Sequence, residues 1–213
     1  MDILTRRKRT MKFLKIKTLI ITCLICLAAI IPGILLWNAL PDRIAIHFDI
    51  NNNPDNFAGK GFAVFGMPLL MVVLQIINCI INDFNAYKHG DRSSLTTVTK
   101  WIIPIMTVIL QLVTLGYALG IPFDIRFVAT FIVGCIFLAI GNYLPKFDYI
   151  KNYNVDTEKA CKINRFIGFE TVIMGVLFLL SLLLPPIASL VCIFLLIPYA
   201  IIAIIYGIVV GKK

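Results

Sequence analysis

Long apolar runs separated by short polar segments constrain this chain more than any other feature. Six runs cover residues 17–37, 62–82, 101–119, 126–144, 166–184 and 187–210. A helix of about 20 apolar residues crosses the hydrocarbon core of a bilayer, so each run is long enough to span it. Of the 213 residues, 60% are hydrophobic, which is more than a soluble domain of this size buries. The sequence therefore predicts an all-α integral membrane protein with six transmembrane helices.

The segments between these runs divide the chain into smaller parts. We expect a basic N-terminus (1–16), a two-span unit (17–82) with an external polar loop (38–61), an inner loop (83–100), a helical hairpin (101–144), a second inner loop (145–165) and a helical hairpin with a basic C-terminus (166–213). The connections inside the two helical hairpins are tight, at "GIPFD" (120–124) and at Pro185-Pro186. Asn154 or Asp156 is expected to cap a helix that has Glu158 in its first turns.

The basic residues predict the orientation of the chain. If the N-terminus is inside, only Arg43, Lys60 and Arg126 of the 20 lysines and arginines face outside, and the other seventeen face the cytoplasm. Positive charge favours the cytoplasmic side, so both termini are expected in the cytoplasm. The basic clusters lie beside apolar runs, which favours contact with anionic membrane lipids and argues against nucleic acid as a partner.

Catalytic and metal-binding motifs are missing from the sequence. It contains no G-x-S-x-G, H-E-x-x-H or glycine-rich phosphate loop. His47, Asp49 and Asp55 have ligating atoms, but the second histidine, His89, is predicted on the opposite side of the membrane, and a catalytic zinc needs three protein ligands. We expect no enzyme, no metal and no cofactor. A membrane-embedded enzyme that uses His47 is the weaker alternative.

Polar and small side chains recur at helical spacing inside the predicted spans. The polar ones are Gln75, Asn78, Asn82 and Asn85 in the second span and its exit, and Thr107, Gln111 and Thr114 in the third. Unpaired amides are costly in hydrocarbon, so these side chains should face protein, either as helix-to-helix contacts or as the lining of a polar cavity. The small ones predict close helix packing at Thr130 and Gly134, at Gly168, Thr171 and Gly175, and at Ala203, Gly207 and Gly211.

Two acidic residues lie in or next to the spans. Glu170 is the only acid predicted within a span, where an ionisable side chain indicates function. The structural alternative is that it lies near the cytoplasmic end of the fifth span, where Lys162 or Arg165 pairs with it or water reaches it. Asp83 is placed at a span boundary, as an interfacial residue. A transporter or flippase lined by Gln75, Asn78, Gln111 and Glu170 is therefore an alternative function.

The segment "LPDRIAIHFDINNNPDNFAGK" (40–60) is dense in polar residues and longer than a turn between spans requires. Asn51 to Pro54 is typical of a turn in which Asn and Asp side chains bond their own backbone. Either this segment is a polar re-entry loop, or it is a recognition site. Its length and density favour recognition.

Two motifs resemble a known family, the Sdp-type immunity proteins of Gram-positive bacteria. Residues 37–74 are similar to the domain of unknown function 1648 that opens many members, at Leu40, Pro41, Asp42, His47, Phe48, Pro54, Asp55, Gly59 and Lys60. "GNYLPK" (141–146), with Gly141, Asn142, Pro145 and Lys146, resembles the family's second signature, and "KINRFIGF" (162–169) resembles the entry to its fifth span. After Lys146 the inner loop is shorter than is usual in the family.

The resemblance implies a plasma-membrane protein that protects its producer from a membrane-active peptide toxin, or senses one. The implied partners are a secreted peptide toxin and a transcriptional repressor recruited to the membrane. The residues expected to recognise the peptide are His47, Phe48, Asp49, Pro54, Asp55, Gly59 and Lys60.

Overall fold

A computed structural model describes residues 14–89, 94–146 and 157–212. In chain order its elements are α1 (Ile16–Ala28), α2 (Ile30–Leu35), β1 (Arg43–Phe48), β2 (Pro54–Gly59), a π-helical turn (Phe62–Gly66), α3 (Met67–His89), α4 (Ser94–Ala118), α5 (Ile125–Tyr143), a 3-10 turn (Leu144–Lys146), α6 (Thr157–Ser181) and α7 (Ile187–Lys212).

Six helical segments in the described part of the chain are long and apolar enough to cross a membrane. They are Ile16–Leu35, Phe62–Tyr87, Ser94–Ala118, Ile125–Lys146, Glu158–Ser181 and Ile187–Val210. The predicted fold class, a six-span helical membrane protein, is confirmed.

Three helices extend beyond the predicted spans. Helix α3 continues to His89 instead of ending at 82, and α4 begins at Ser94 instead of 101. The predicted inner loop 83–100 is therefore mostly helical, because a helix can continue through polar residues that hydropathy assigns to a loop. Helix α6 begins at Thr157 instead of 166, with Glu158 in its first turn as expected. The predicted caps Asn154 and Asp156 lie outside the described residues.

The polar segment between the first two spans forms a β-hairpin, which the sequence analysis did not predict. Its two strands, β1 and β2, pair with each other. The Asp49 N–H donates to the Asn53 carbonyl (2.9 Å), and the Asn52 N–H donates to the Asp49 carbonyl (3.1 Å). Asn52 has φ +66°, a left-handed conformation that Asn tolerates better than most residues. The three-residue turn joins the strands at the predicted position.

The chain folds into two units, each with its own apolar cluster. Among the described residues, the first comprises 14–47, 54–89 and 99–123, and the second comprises 48–53, 94–98, 124–146 and 157–212. The cluster of the first unit is Leu40, Ile44, Ala63, Val64 and Leu115. It packs the base of the hairpin against the start of the second span. The cluster of the second unit is Met174, Phe178 and Cys192, with Phe137 and Tyr199 packed against it.

Glycines bring α5 and α6 into close contact in the second unit, as their spacing predicted. A Cβ on Gly175 would lie 2.9 Å from the Gly134 carbonyl oxygen, and a Cβ on Gly141 would lie 2.8 Å from the Gly168 carbonyl oxygen. Backbone atoms thus meet where only glycine fits. The predicted seam on α7 differs, because a Cβ on Gly207 would meet no atom within 4 Å in the described chain.

Gly175→Ala should destabilise the second unit, and Gly207→Ala provides the matched control. The added methyl at 175 collides with backbone that cannot move aside, so we expect a loss of about 1–3 kcal/mol and a lower thermal midpoint in detergent or nanodiscs. Gly207→Ala has open space and should leave the midpoint unchanged or slightly higher. Equal midpoints for both variants would contradict the close contact between α5 and α6.

Candidate functional site

The solvent-exposed side of the hairpin holds an ion pair between two of the predicted recognition residues. His47 Nδ1 lies 2.5 Å from Asp55 Oδ1, and the two side chains are 69% and 47% exposed. On the same strands, the Arg43 guanidinium lies 5.9 Å from the centre of the Phe57 ring. Side chains alternate between the faces of a strand, so these four residues share one face. We call Arg43, His47, Asp55 and Phe57 the hairpin face.

The base of the hairpin is fixed by Lys60, which the sequence analysis had assigned to recognition. Its Nζ donates to the Trp37 carbonyl (3.3 Å) and to the Leu40 carbonyl (3.2 Å), and lies 4.9 Å from the centre of the Trp37 ring. Asp42 Oδ1 is 3.5 Å from the same ammonium. Lys60 therefore holds the hairpin to the end of the first span, with only 16% of its side chain exposed.

Asp49 organises the turn at the tip. Its Oδ1 accepts the N–H of Asn53 (2.7 Å) and the N–H of Asn51 (2.9 Å), which confirms the predicted turn chemistry. Hydrogen bonds from the Asn53 backbone and side chain, followed by the Asn51 N–H, hold the pKa of Asp49 below its usual range. Its carboxylate is thus committed to the shape of the turn.

The other predicted recognition residues occupy positions in the hairpin framework. Phe48 is half-buried at the end of β1, and Pro54 begins β2. Gly59 ends β2, with no atom within 4 Å of the place where a Cβ would stand. The structure thus brings His47 and Asp55 together and gives Asp49 and Lys60 structural contacts.

Asn52, a residue that the sequence analysis did not single out, connects the turn to α5 within the second unit. Its Oδ1 accepts the N–H of Ile125 (2.8 Å). Asp124 caps the same helix by accepting the Phe127 N–H (2.8 Å). Two of the unpaired N–H groups at the start of α5 are therefore satisfied. The Asn-rich turn was the signal available in the sequence, but it did not identify which amide points at the helix.

The buried glutamines each satisfy a carbonyl that a proline leaves unpaired. Pro104 has no N–H, so the Lys100 carbonyl lacks its helical partner, and Gln75 Nε2 donates to it at 2.9 Å. The same problem arises in the π-helical turn. The Met67 N–H donates to the Phe62 carbonyl, so the Ala63 carbonyl would need the N–H of residue 68, which is a proline and has none. Gln111 Nε2 donates to the Ala63 carbonyl instead, at 3.2 Å. Both glutamines face protein, as predicted.

Asn78 belongs to the same set of contacts between α3 and α4. Its Nδ2 donates to the Thr99 carbonyl (3.1 Å), and the Asn82 amide donates in turn to Asn78 Oδ1 (2.8 Å). A cleft beside Gln111 has a volume of about 20 Å³, which is room for about one water molecule. Of the two interpretations of the amide stripes, these contacts favour helix-to-helix binding over the lining of a transport cavity.

A buried ion pair joins α3 and α4, and the sequence analysis had placed both of its members at the membrane surface. Lys100 Nζ contacts Asp83 Oδ1, and the side chains are 2% and 1% exposed. Asp83 Oδ2 also accepts the N–H of Lys15 (3.0 Å), at the start of α1. A carboxylate at a helix N-terminus is stabilised by the helix dipole. The interfacial assignment of Asp83 and the loop assignment of Lys100 were wrong, because the helices continue past the predicted ends of the spans.

Glu170 lies within α6, and its predicted ion pairs are not formed. Lys162 pairs with Glu158 instead (2.7 Å). Glu170 Oε2 is buried and has no hydrogen-bond partner. In the part of the chain that the structure describes, Oε2 is the one buried side-chain oxygen or nitrogen without a hydrogen bond.

The residues of the second signature mainly pack helices. A Cβ on Gly168 would lie 2.8 Å from Pro145 Cδ and 2.9 Å from the Gly141 carbonyl oxygen, so Gly141 and Pro145 form a close contact with α6. Lys146 Nζ lies 5.0 Å from the centre of the Tyr143 ring. Asn142 and Lys146 are exposed. Only these two offer polar side chains to a partner.

The fold and its sites define a six-span helical membrane protein with a β-hairpin between its first two spans. Residues 24–72 match the family described as Domain of unknown function (DUF1648). This segment contains most of the first span, the hairpin, the π-helical turn and the start of α3. No curated protein and no solved structure matches the chain.

The pairing of glutamine with proline predicts that Gln75→Leu is costly only when Pro104 is present. In the natural chain the substitution leaves the Lys100 carbonyl buried and unpaired, at about 1–3 kcal/mol. In a Pro104→Ala background, residue 104 regains an N–H for that carbonyl, so the cost should fall. Unfolding free energies of the four proteins give the coupling between the two positions.

Gln111→Leu is the control for this cycle. It removes the partner of the Ala63 carbonyl, so its cost should be the same with Pro104 or Ala at 104. If Gln75→Leu costs equally in both backgrounds, the assignment of Gln75 to the Lys100 carbonyl is wrong.

Proposed function

We propose that this protein sits in the plasma membrane and recognises a membrane-active peptide outside the cell, acting as an immunity protein or a sensor. The observation that supports this most is the exposed His47–Asp55 pair on the hairpin face. An exposed ion pair adds only about 0–1 kcal/mol to stability, so stability does not explain its presence. In this proposal the protein binds and does not catalyse.

The composition of the hairpin suits a cationic, amphipathic peptide. The charge of Lys60 is taken up at the base beside Asp42. The rest of the hairpin carries the carboxylates of Asp49 and Asp55, with Arg43 and His47 as its basic side chains. Phe57 adds an apolar side chain that is 42% exposed. Acidic groups next to an exposed aromatic ring offer both kinds of contact that such a peptide needs.

The resemblance to Sdp-type immunity proteins supports the same function. The shared positions of the first motif fall on the hairpin and its base, including Leu40, His47, Asp55 and Lys60. The shared positions of the second motif fall on the contact between α5 and α6, and leave Asn142 and Lys146 free to meet a repressor at the inner surface. A role in signalling would use those two residues.

Transport is the weaker alternative, because Gln75, Asn78 and Gln111 each bond to a backbone carbonyl. A transport role would require those bonds to open during every cycle.

Wild-type protein should protect a sensitive Gram-positive host against at least one peptide in a panel of cationic membrane-active peptides, measured as survival. His47→Ala and Asp55→Ala should each lose most of that protection, since either change removes the pair on the hairpin face. Asn56→Ala, also exposed on β2, is the matched control and should still protect.

Protein levels in the membrane must be equal among these variants. Equal levels are expected because the loss of an exposed pair changes stability only slightly. Equal killing with and without the wild-type protein across the panel would reject immunity. Full protection by His47→Ala and Asp55→Ala would reject the hairpin face as the binding site.

The proposed orientation can be tested by thiol labelling in intact cells. A cysteine introduced by Asn51→Cys should react with a membrane-impermeant maleimide added outside, because the hairpin tip is outside in this proposal. Native Cys161, exposed on α6, should react only after the cells are permeabilised. The reverse pattern would place the hairpin in the cytoplasm and rule out recognition of an external peptide.

A further inference from the structure

Glu170 is a half-buried acid, and it differs from the buried Asp83 in having no cation beside its carboxyl among the described residues. Asp83 contacts the Lys100 ammonium and accepts the Lys15 N–H. Glu170 Oε2 is buried without a hydrogen-bond donor, and among the described residues no lysine or arginine nitrogen lies within 4.0 Å of its carboxyl. The carboxyl of Asp83 is therefore paired, whereas the buried oxygen of Glu170 is not.

The surroundings of Glu170 are apolar along its own helix. Phe166 and Met174 lie four residues before and after it, so the three share one stripe of α6. Phe166 stacks on Tyr206 of α7 with ring centres 3.9 Å apart, and Met174 belongs to the cluster that contains Cys192. The adjacent Phe169 is 66% exposed, as expected for a side chain that faces lipid. Glu170 thus lies between two apolar contacts near the hydrocarbon.

The hydroxyl groups nearest in sequence are already engaged. Thr171 donates to the Ile167 carbonyl (2.6 Å) and shares a hydrogen bond with the Tyr199 hydroxyl (2.8 Å). The elements packed against α6 carry few other ionisable groups in the described chain: Arg126, Cys135, Tyr143 and Lys146 before it, and Cys192, Tyr199, Tyr206 and Lys212 after it. Arg126 is engaged by Ser189 Oγ (3.1 Å) and Asp124 Oδ2 (3.5 Å). Lys146 lies against Tyr143.

A charged carboxylate without a donor or a cation is strongly disfavoured in an apolar setting, whereas the neutral acid is tolerated. We propose that Glu170 is a proton-binding site within the fifth span, occupied by a proton at neutral pH. The ligand is the proton itself, because one carboxyl with no second ligating group cannot hold a metal ion. This assignment is independent of peptide recognition at the hairpin.

The test uses N,N′-dicyclohexylcarbodiimide, an apolar reagent that enters membranes and reacts with protonated carboxyl groups. The acid proton moves to a reagent nitrogen while the carboxyl oxygen bonds the central carbon. The acyl group then shifts to nitrogen, giving a stable adduct with no leaving group. Full-length protein in liposomes is treated at neutral pH, digested and analysed by mass spectrometry.

We expect one adduct among the membrane-embedded acids, at Glu170, with complete loss in Glu170→Gln. Labelling should decrease as the pH is raised, because the reagent needs the proton. Asp83 should stay unlabelled, since Lys100 Nζ and the Lys15 N–H occupy its two carboxyl oxygens. A water-soluble carbodiimide should instead modify exposed Glu158.

An unlabelled Glu170 in the wild-type protein would overturn the proposal, as would equal reaction of Glu170 with the water-soluble reagent. Labelling of Asp83 at the same rate would also overturn it, because burial alone, without regard to pairing, would then explain the reaction. Glu170→Asp provides a further check. It keeps the acid and should keep the adduct.

Discussion

A backbone carbonyl that loses its helical partner inside a span must find another donor, and the first unit is organised by that constraint. Water cannot supply the donor in hydrocarbon, so a neighbouring helix has to. Gln75 and Gln111 do so for the carbonyls freed by Pro104 and Pro68. Each glutamine is on the helix opposite its proline, so the two bonds connect α3 and α4 in both directions. Pro32 shows the other outcome. Its missing N–H would have served the Ala28 carbonyl, and α1 ends at Ala28.

These bonds matter for the hairpin, because β2 continues almost directly into the π-helical turn. Gln111 holds the Ala63 carbonyl inside that turn, while Ala63 and Val64 form the cluster that also buries Leu40 and Ile44. Lys60 adds two bonds to carbonyls at the end of the first span. One side of the hairpin is therefore held by packing and hydrogen bonds. The other side carries the exposed His47–Asp55 pair, which adds little to stability. Because the framework beneath it is already ordered, a ligand that binds this face does not have to order the hairpin first.

The six spans could be predicted because the length and hydropathy of each apolar run are enough to identify a span. The direction of Gln75 and Gln111 towards protein could be predicted from the cost of unpaired amides in hydrocarbon. The errors came from treating charge as the end of a span. Lys100 directly precedes the third apolar run, so the hydropathy pattern places it in a loop. The cost of burying it is lowered by Asp83, which is 17 residues away in sequence and adjacent only once both helices are extended. The strands were missed because the alternation in "RIAIHF" is short and lies within a polar segment. His47 and Asp55 were selected as a set, but their pairing depends on a turn geometry that Asn52 makes possible.

Asp83 and Glu170 show that an acidic side chain has opposite consequences in different surroundings. Asp83 has an ammonium and a helix N-terminus beside it, so both of its carboxyl oxygens are paired and the residue joins three helices. Removing Lys100 alone would leave an unpaired charge, which costs about 3–5 kcal/mol in buried pairs of this kind. Glu170 has neither partner, and α6 packs closely on α5 through Gly134, Gly141, Gly168 and Gly175 without its help. Its buried Oε2 forms no hydrogen bond to a neighbouring helix, so the carboxyl is explained by binding a proton and not by joining the helices.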